Sequence, residues 1–169
     1  MTIQLHAQPY DISANGFYFT SANEYQAKAR NNRNDYGDPV EEYEIQFIDG
    51  EQIDCELAQA WGFYQSNFGA FLGKATSWND DQKIRYIIAV GECGFDHAAV
   101  KDDPLQIEID IYPVATMREL AEQFIDEGLF GKIPEHLANY IDIDAIAHDL
   151  TFDYTATEIN GESVIYRCA

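Results

Sequence analysis

Between Arg33 and Lys74 lie forty residues that hold nine acids and no base: Asp35, Asp38, Glu41, Glu42, Glu44, Asp49, Glu51, Asp54 and Glu56. A second stretch, Glu119 to Tyr166, carries eleven acids and the single base Lys132. Neither stretch is a block of like charge, because the acids alternate with Ile, Phe, Tyr, Leu and Val. Such interleaving describes elements with one apolar face and one carboxylate face, which fold rather than remain a solvated tail. Division of the chain by charge gives eleven acids against three bases in residues 1–61, six against four in 62–103, and thirteen against three in 104–169. The ends are strongly acidic and the middle is close to neutral. Three small units are expected on that basis: an acidic α+β segment (1–61), a mostly helical one (62–103) and a second acidic α+β segment (104–169).

The whole chain carries a formal charge of −20 with 46% hydrophobic residues, so it has the charge of a disordered protein without the low hydrophobicity. The longest apolar run, Tyr86 to Gly91, is far short of the ~18–20 residues of a membrane span. MTIQLHAQPYD has neither the basic nor the apolar region of a signal peptide, and the expected compartment is the cytoplasm. Cys55, Cys93 and Cys168 are odd in number and widely spaced, so spacing implies no disulfide framework. Direct nucleic-acid binding is disfavoured, since phosphates are held by clustered Lys and Arg.

Local signals outline the elements. Ile3, Leu5 and Ala7 alternate as a strand, Phe17–Phe19 reads as another, and Ser21-Ala22-Asn23-Glu24 opens a helix to about Arg30 with a capping-box pattern. Glu41 to Ile48 reads as a strand with Tyr43, Ile45 and Phe47 on one side. Asp49-Gly50 offers a tight turn into a partner strand, Gln52–Glu56. Short helices are expected over 57–64 and 66–74, and Asn79 or Asp80 caps a helix to about Val90. Leu105 to Tyr112 alternates strictly as a strand. Thr116 begins a helix with Leu120, Phe124 and Ile125 inward and Gly128 just past its end. Pro134 starts a short helix, Asp142 caps another, and Asn160-Gly161 turns a terminal hairpin. The class is α+β.

Catalysis has no positive support. Phosphate-loop, dinucleotide, zinc-protease and nucleophile-elbow patterns are all missing. Cys93 and His97, with Glu92 and Asp96 close by, form the one cluster of metal or nucleophile chemistry, but they lack the paired spacing of a zinc site and read as buried or capping residues. His136 and His148 read as surface residues, and Asp142-Ile143-Asp144 lacks the glycine and closing Glu of a calcium loop. No enzyme activity, metal or cofactor is expected.

A carboxylate surface has a use of its own. Duplex DNA carries one negative charge per ~1.7 Å of axis, so −20 laid out at that density matches ~34 Å. Carboxylates accept the same charge-assisted hydrogen bonds from Arg and Lys that phosphates do. The chain therefore reads as a decoy for a DNA-binding protein. Its candidate phosphate-mimicking carboxylates are Asp38, Glu41, Glu42, Glu44, Glu51, Asp54, Glu108, Asp110, Glu119, Glu122, Asp126, Glu135, Asp142, Asp144, Asp149 and Asp153.

The run Glu127 to Asp142, EGLFGKIPEHLANYID, followed by AIAHDL at Ala145–Leu150, resembles the C-terminal signature of ArdA-type antirestriction proteins. Glu41–Asp49 and Ile87–Glu92 are also similar to family stretches. The resemblance implies a protein of mobile DNA that inhibits type I restriction-modification enzymes, and possession of an elongated three-domain α+β architecture. It further implies a homodimer whose acidic surface imitates bent duplex in the DNA groove of the methyltransferase core. The family's antirestriction motif falls near residues 127–142. From the residues themselves, Gly128 and Gly131 read as backbone hinges, Pro134 as a helix starter, and Leu129, Phe130, Leu137 and Tyr140 as packing anchors. Phe130 and Tyr140, with Asn139 between Leu137 and Tyr140, are alternatively candidates for a dimer contact. Lys132 is placed to relieve repulsion or to pair with Glu135.

Three rival readings stand beside this one. A halophilic soluble domain would also be acidic, though evenly so. An acidic interaction protein for another basic DNA-binding client differs only in its partner. An enzyme centred on Cys93 would need a low-pKa thiol.

Overall fold

The computed structural model describes residues 1–168. Strands and helices are both present and the sheets are antiparallel, which is the α+β class. The chain divides into two compact units, one running to Leu105 and the other starting at Gln106.

In the first unit, β1 (Gln4–Pro9) is flanked by β2 (Phe17–Phe19) and β3 (Tyr43–Asp49), both antiparallel to it. Leu5 lies opposite Phe19 on one side and Phe47 on the other, and Ala7 opposite Ile45. This register puts Leu5, Ala7, Phe19, Tyr43 and Ile45 on the buried face. Helix α1 (Ala22–Asn31) starts where the capping pattern placed it, with the Ser21 hydroxyl accepting from Glu24 N at 3.2 Å. The Glu24 carboxylate reaches back to Thr20 N at 2.8 Å, one residue earlier than a capping box requires. Tyr25 of α1 packs against Phe19 and Phe68, with ring centroids 5.1 and 4.7 Å away.

The expected hairpin at Asp49-Gly50 does not form. The turn instead feeds α2 (Gln52–Trp61), which begins five residues before the helix expected at Leu57. Ile53, Leu57, Ala58 and Trp61 recur at helical spacing and are buried, and this periodicity outweighs the turn signal. Helix α3 spans Phe68–Ser77 and α4 spans Asp80–Tyr86. Asn79 and Gln82 form a reciprocal capping box on α4, with bonds of 2.9 and 3.1 Å. Its continuation to Glu92 is a π-helical turn (Ile87–Glu92), closed by Cys93 N donating to Ile88 O at 2.8 Å. The wider turn holds Ile87, Ile88 and Ala89 all buried in succession. Helix α5 is short (His97–Val100).

Trp61 stacks on Tyr86 at 5.1 Å and meets Phe71, Trp78 and His97. Residues on both sides of position 61 thus share one aromatic core. The charge change at 61/62 is a change of surface, and the packing division falls after Leu105.

The second unit has sheet order β4-β6-β5, from β4 (Ile109–Tyr112), β5 (Thr155–Ile159) and β6 (Glu162–Cys168). The strand expected over 105–112 is shorter. Pro104–Gln106 form a 3-10 turn, Leu105 is exposed, and pairing starts at Ile109 opposite Cys168. Asn160 (φ 56°) and Gly161 (φ 76°) make the expected two-residue hairpin turn. Helix α6 (Met117–Asp126) buries Leu120 and Phe124 against Tyr154 and Ile165. A 3-10 helix (Glu135–Tyr140) and α7 (Ile143–Leu150) follow, and the Asp142 side chain accepts from Ala145 N at 3.0 Å. Pro134 precedes the 3-10 helix as its cap residue, outside the first turn where the sequence placed it.

Candidate functional site

Alternation and helical spacing decide which carboxylates leave the protein. On β3, Tyr43 and Ile45 turn inward, so Glu44 between them is exposed, as are Glu41 and Glu42 just before the strand. On α6 the buried stripe of Leu120, Ala121 and Phe124 turns Glu119, Glu122 and Asp126 to solvent. Asp38, Glu51, Glu108, Glu135, Asp142, Asp144, Asp149 and Asp153 are also exposed.

Asp54 is a correction. It is 4% exposed on the inner side of α2, and its Oδ1 accepts from Lys83 Nζ at 2.7 Å. Lys83 is 6% exposed, so this is a buried ion pair joining α2 to α4 and cannot meet a partner protein. Asp54 lies one position past Ile53 and three before Leu57, which sets it on the inner face once the segment is helical. Read as a strand, the same segment put it outside.

Several other candidates have work inside the fold. Glu51 meets the N-terminal ammonium at 3.2 Å. Asp110 pairs with Arg167, whose Nε lies 3.0 Å away and whose guanidinium lies over the Tyr154 ring. Arg118 bridges Glu122 of α6 (3.1 Å) and Asp144 of α7, and these partners raise its already high pKa, Asp144 most. Glu119 accepts from Ala115 N at 2.8 Å, and Asp142 caps α7. All remain at least partly open to solvent.

Several of the bases, by contrast, face the protein's own oxygens. Lys28 bonds Glu24 and Tyr18 O, both at 2.7 Å, and Arg33 bonds the carbonyls of Arg30 and Asn32. Lys74 reaches Asp102 O and lies over the Trp78 ring. Among the described residues, no ion pair joins a base to Asp38, Glu41, Glu42, Glu44, Glu108, Asp126, Glu135, Asp149 or Asp153.

The motif region is arranged differently from its expected role. Gly128 (φ 76°) and Gly131 (φ 86°) do adopt the left-handed backbone that a hinge needs. Leu129, Phe130, Leu137 and Tyr140 are not internal anchors: they are 58, 54, 45 and 84% exposed. Pro134 and Asn139 are exposed too, and Lys132 makes no ion pair with Glu135. Lys132 instead edges an open groove of about 570 Å³ whose walls include Ile125, Ile133, Ala138, Ile141 and Ile143. The same segment that lines this groove leaves the side chains of Leu129, Phe130, Leu137 and Tyr140 open to solvent.

Cys93 is disulfide-bonded and offers no free thiol, against the expectation of no disulfide framework, because pairing depends on closeness in the fold and not on spacing along the chain. Asp96 caps α5 through Ala98 N at 2.7 Å, and His97 Nδ1 lies 2.6 Å from the Tyr86 hydroxyl. Burial depresses the His97 pKa, Lys101 adds to this and Asp96 opposes it, while burial raises that of Tyr86. Among the described residues no group of three or more His, Cys, Asp or Glu is placed to hold a metal ion.

The family model described as antirestriction protein (ArdA) matches residues 10–164. The chain belongs to the ArdA antirestriction family. No curated relative matches it. Membership spans both compact units and includes β3, the π-helical turn and the motif groove. The family acts on restriction-modification enzymes, so the surface just described belongs to an antirestriction protein. Among the described residues no helix is long and apolar enough to cross a membrane.

Proposed function

We propose that this ArdA family member inhibits type I restriction-modification enzymes by occupying the DNA groove of their methyltransferase core, with carboxylates standing where duplex phosphates would lie. The observation that carries the reading is the asymmetry of pairing. Lys28, Arg33, Lys74, Lys83, Arg118 and Arg167 are bound to the protein's own carboxylates and carbonyls, whereas Glu41, Glu42, Glu44, Asp126, Glu135, Asp149 and Asp153 face solvent without an ion-pair partner among the described residues. Arg and Lys of a DNA groove meet such oxygens with the bonds they make to phosphate.

The acting species is a homodimer formed through the motif segment, whose groove is lined by Ile125, Ile133 and Ile141 and whose Leu129, Phe130, Leu137 and Tyr140 are exposed. Burial of those side chains removes apolar surface that a monomer leaves in water. The inhibition needs neither a cofactor nor direct contact with nucleic acid, and it takes place in the cytoplasm.

Competition tests the proposal. Duplex bound to a type I methyltransferase is expected to dissociate as the protein is added, with the enzyme transferring to a protein–protein complex. Retention of the duplex at a large excess of the protein refutes it.

A further inference from the structure

We propose that the first unit holds an arginine-binding cleft, walled by Tyr10 and Tyr64 and edged by Glu41 and Glu42, at which a partner's guanidinium groups dock. This rests on the mimicry reading and names the side chain that the surface selects. Tyr10 follows β1 directly, and its backbone N–H donates to Glu42 O at 3.2 Å. Tyr10 and Tyr64 are 67 and 61% exposed, yet both line one open cleft of about 530 Å³ together with Glu42 and Gln65. A second cleft of about 270 Å³ lies against Tyr10 from the side of Asp11, Glu41 and Glu42. Tyr10 and Glu42 thus stand between two adjoining hollows.

The cleft is held in shape by its own hydrogen bonds. Gln65 accepts from Tyr43 N at 3.1 Å and donates to Glu41 O at 2.8 Å, fastening the loop that carries Tyr64 to the start of β3. Asp11 accepts from Ser13 and from Asn34 (2.9 Å), and these bonds, Asn34 first, lower its pKa and keep it charged. An aromatic wall beside a carboxylate suits a flat, delocalised cation. Arginine stacks on aromatic faces and gives a carboxylate a two-pronged hydrogen bond, whereas the lysine ammonium is a strongly hydrated point charge. No base occurs between Arg33 and Lys74, so none of the sequence around Glu41, Glu42 and Tyr64 supplies the cation itself. Nor is any Lys or Arg among the residues that line the two clefts.

Hexa-arginine and hexa-lysine peptides titrated onto the full chain, with tyrosine ring signals followed by NMR, test the assignment. Hexa-arginine is expected to move the Tyr10 and Tyr64 signals and to bind roughly fivefold more tightly than hexa-lysine. The double variant Y10L/Y64L is expected to lose that preference while keeping a salt-sensitive affinity common to both peptides. Y10F/Y64F keeps the rings and should keep the preference. Equal affinity for the two peptides, or ring signals that stay still, overturns the cleft even if the protein displaces duplex from a methyltransferase. A preserved arginine preference in a protein that fails to displace duplex overturns only the mimicry reading.

Discussion

Asp54 and Lys83 form the most consequential pair of single residues in the first unit. Each is more than nine-tenths buried, so removal of either leaves a charge in low dielectric without its partner. Asp54→Ala is expected to cost about 3–5 kcal/mol in urea denaturation. Replacement of both partners by apolar residues of similar volume should recover most of that loss. Titration acts at two other residues. Burial holds the folded His97 pKa below the ordinary histidine value of 6.5, so the unfolded chain takes up the proton first as pH falls. Its contribution is fully present above about pH 6.5 and is lost as pH falls through the lower folded value. The Glu24 pKa is held at about 2, mainly by its bond from Lys28 and then by Thr20, against an ordinary glutamate value of 4.5. Its contribution is present above about pH 4.5 and is lost as pH falls toward 2. Urea midpoints measured from pH 8 to pH 4 should therefore fall in the wild type below about 6.5, and His97→Gln should flatten the first part of that fall.

The elements carry the acidic surface through their inner faces. Helix α6 exposes Glu119, Glu122 and Asp126 because Leu120, Ala121 and Phe124 are held inside, and its start depends on Thr116 accepting from Glu119 N at 3.1 Å. Loss of that cap in Thr116→Ala is expected to lower stability by about 1 kcal/mol in denaturant titration. Inhibition per folded molecule should change little. Single carboxylates behave in the same undramatic way. An exposed ion pair contributes about 0.2–1 kcal/mol, so Glu42→Gln or Glu122→Gln alone should barely alter duplex displacement. Six simultaneous neutralisations drawn from β3, α6 and α7 should weaken it strongly. A single exposed Glu→Gln change that abolished displacement in a folded protein would point to a discrete site.

At the scale of the whole molecule, two properties follow from exposed charge and exposed apolar surface. Folded carboxylates lack the condensed counterions of a duplex, so fewer ions are released when they enter a basic groove. The affinity of the protein for a methyltransferase should fall less steeply with salt than that of the DNA it replaces, when both are titrated between about 50 and 200 mM. An equal or steeper slope would remove this account of how the protein competes as salt approaches the physiological range. The second property is assembly. Sedimentation at micromolar concentration should give a species of twice the 19.2 kDa chain mass. Phe130→Ser combined with Tyr140→Ser should shift it toward monomer without unfolding, since both side chains are more than half exposed within the unit. A wild-type protein that sediments only as a monomer would count against the dimer.

The sequence by itself determined what depends on neighbours along the chain. The caps at Ser21, Asn79, Thr116 and Asp142, the Asn160-Gly161 turn and the alternation in β3 all act within a few residues, so each is visible without a fold. The outward carboxylates of β3 and α6 were legible for the same reason, because a period of 2 or 3.6 sets which side a residue takes. Tertiary structure alone decided the rest. Asp49-Gly50 is compatible with a hairpin or a strand-to-helix turn, and packing of Ile53, Leu57 and Trp61 selected the helix, which carried Asp54 inward to Lys83. Pairing in β4 begins at Ile109, where β6 supplies a partner, although the alternation starts four residues earlier. The exposure of Leu129, Phe130, Leu137 and Tyr140, and the meeting of Tyr10 with Tyr64, depend on what lies over a side chain. An apolar or aromatic residue reads identically in sequence whether its neighbour is a core, a second protein chain or water, because hydrophobic free energy follows the area covered and carries no record of what covers it.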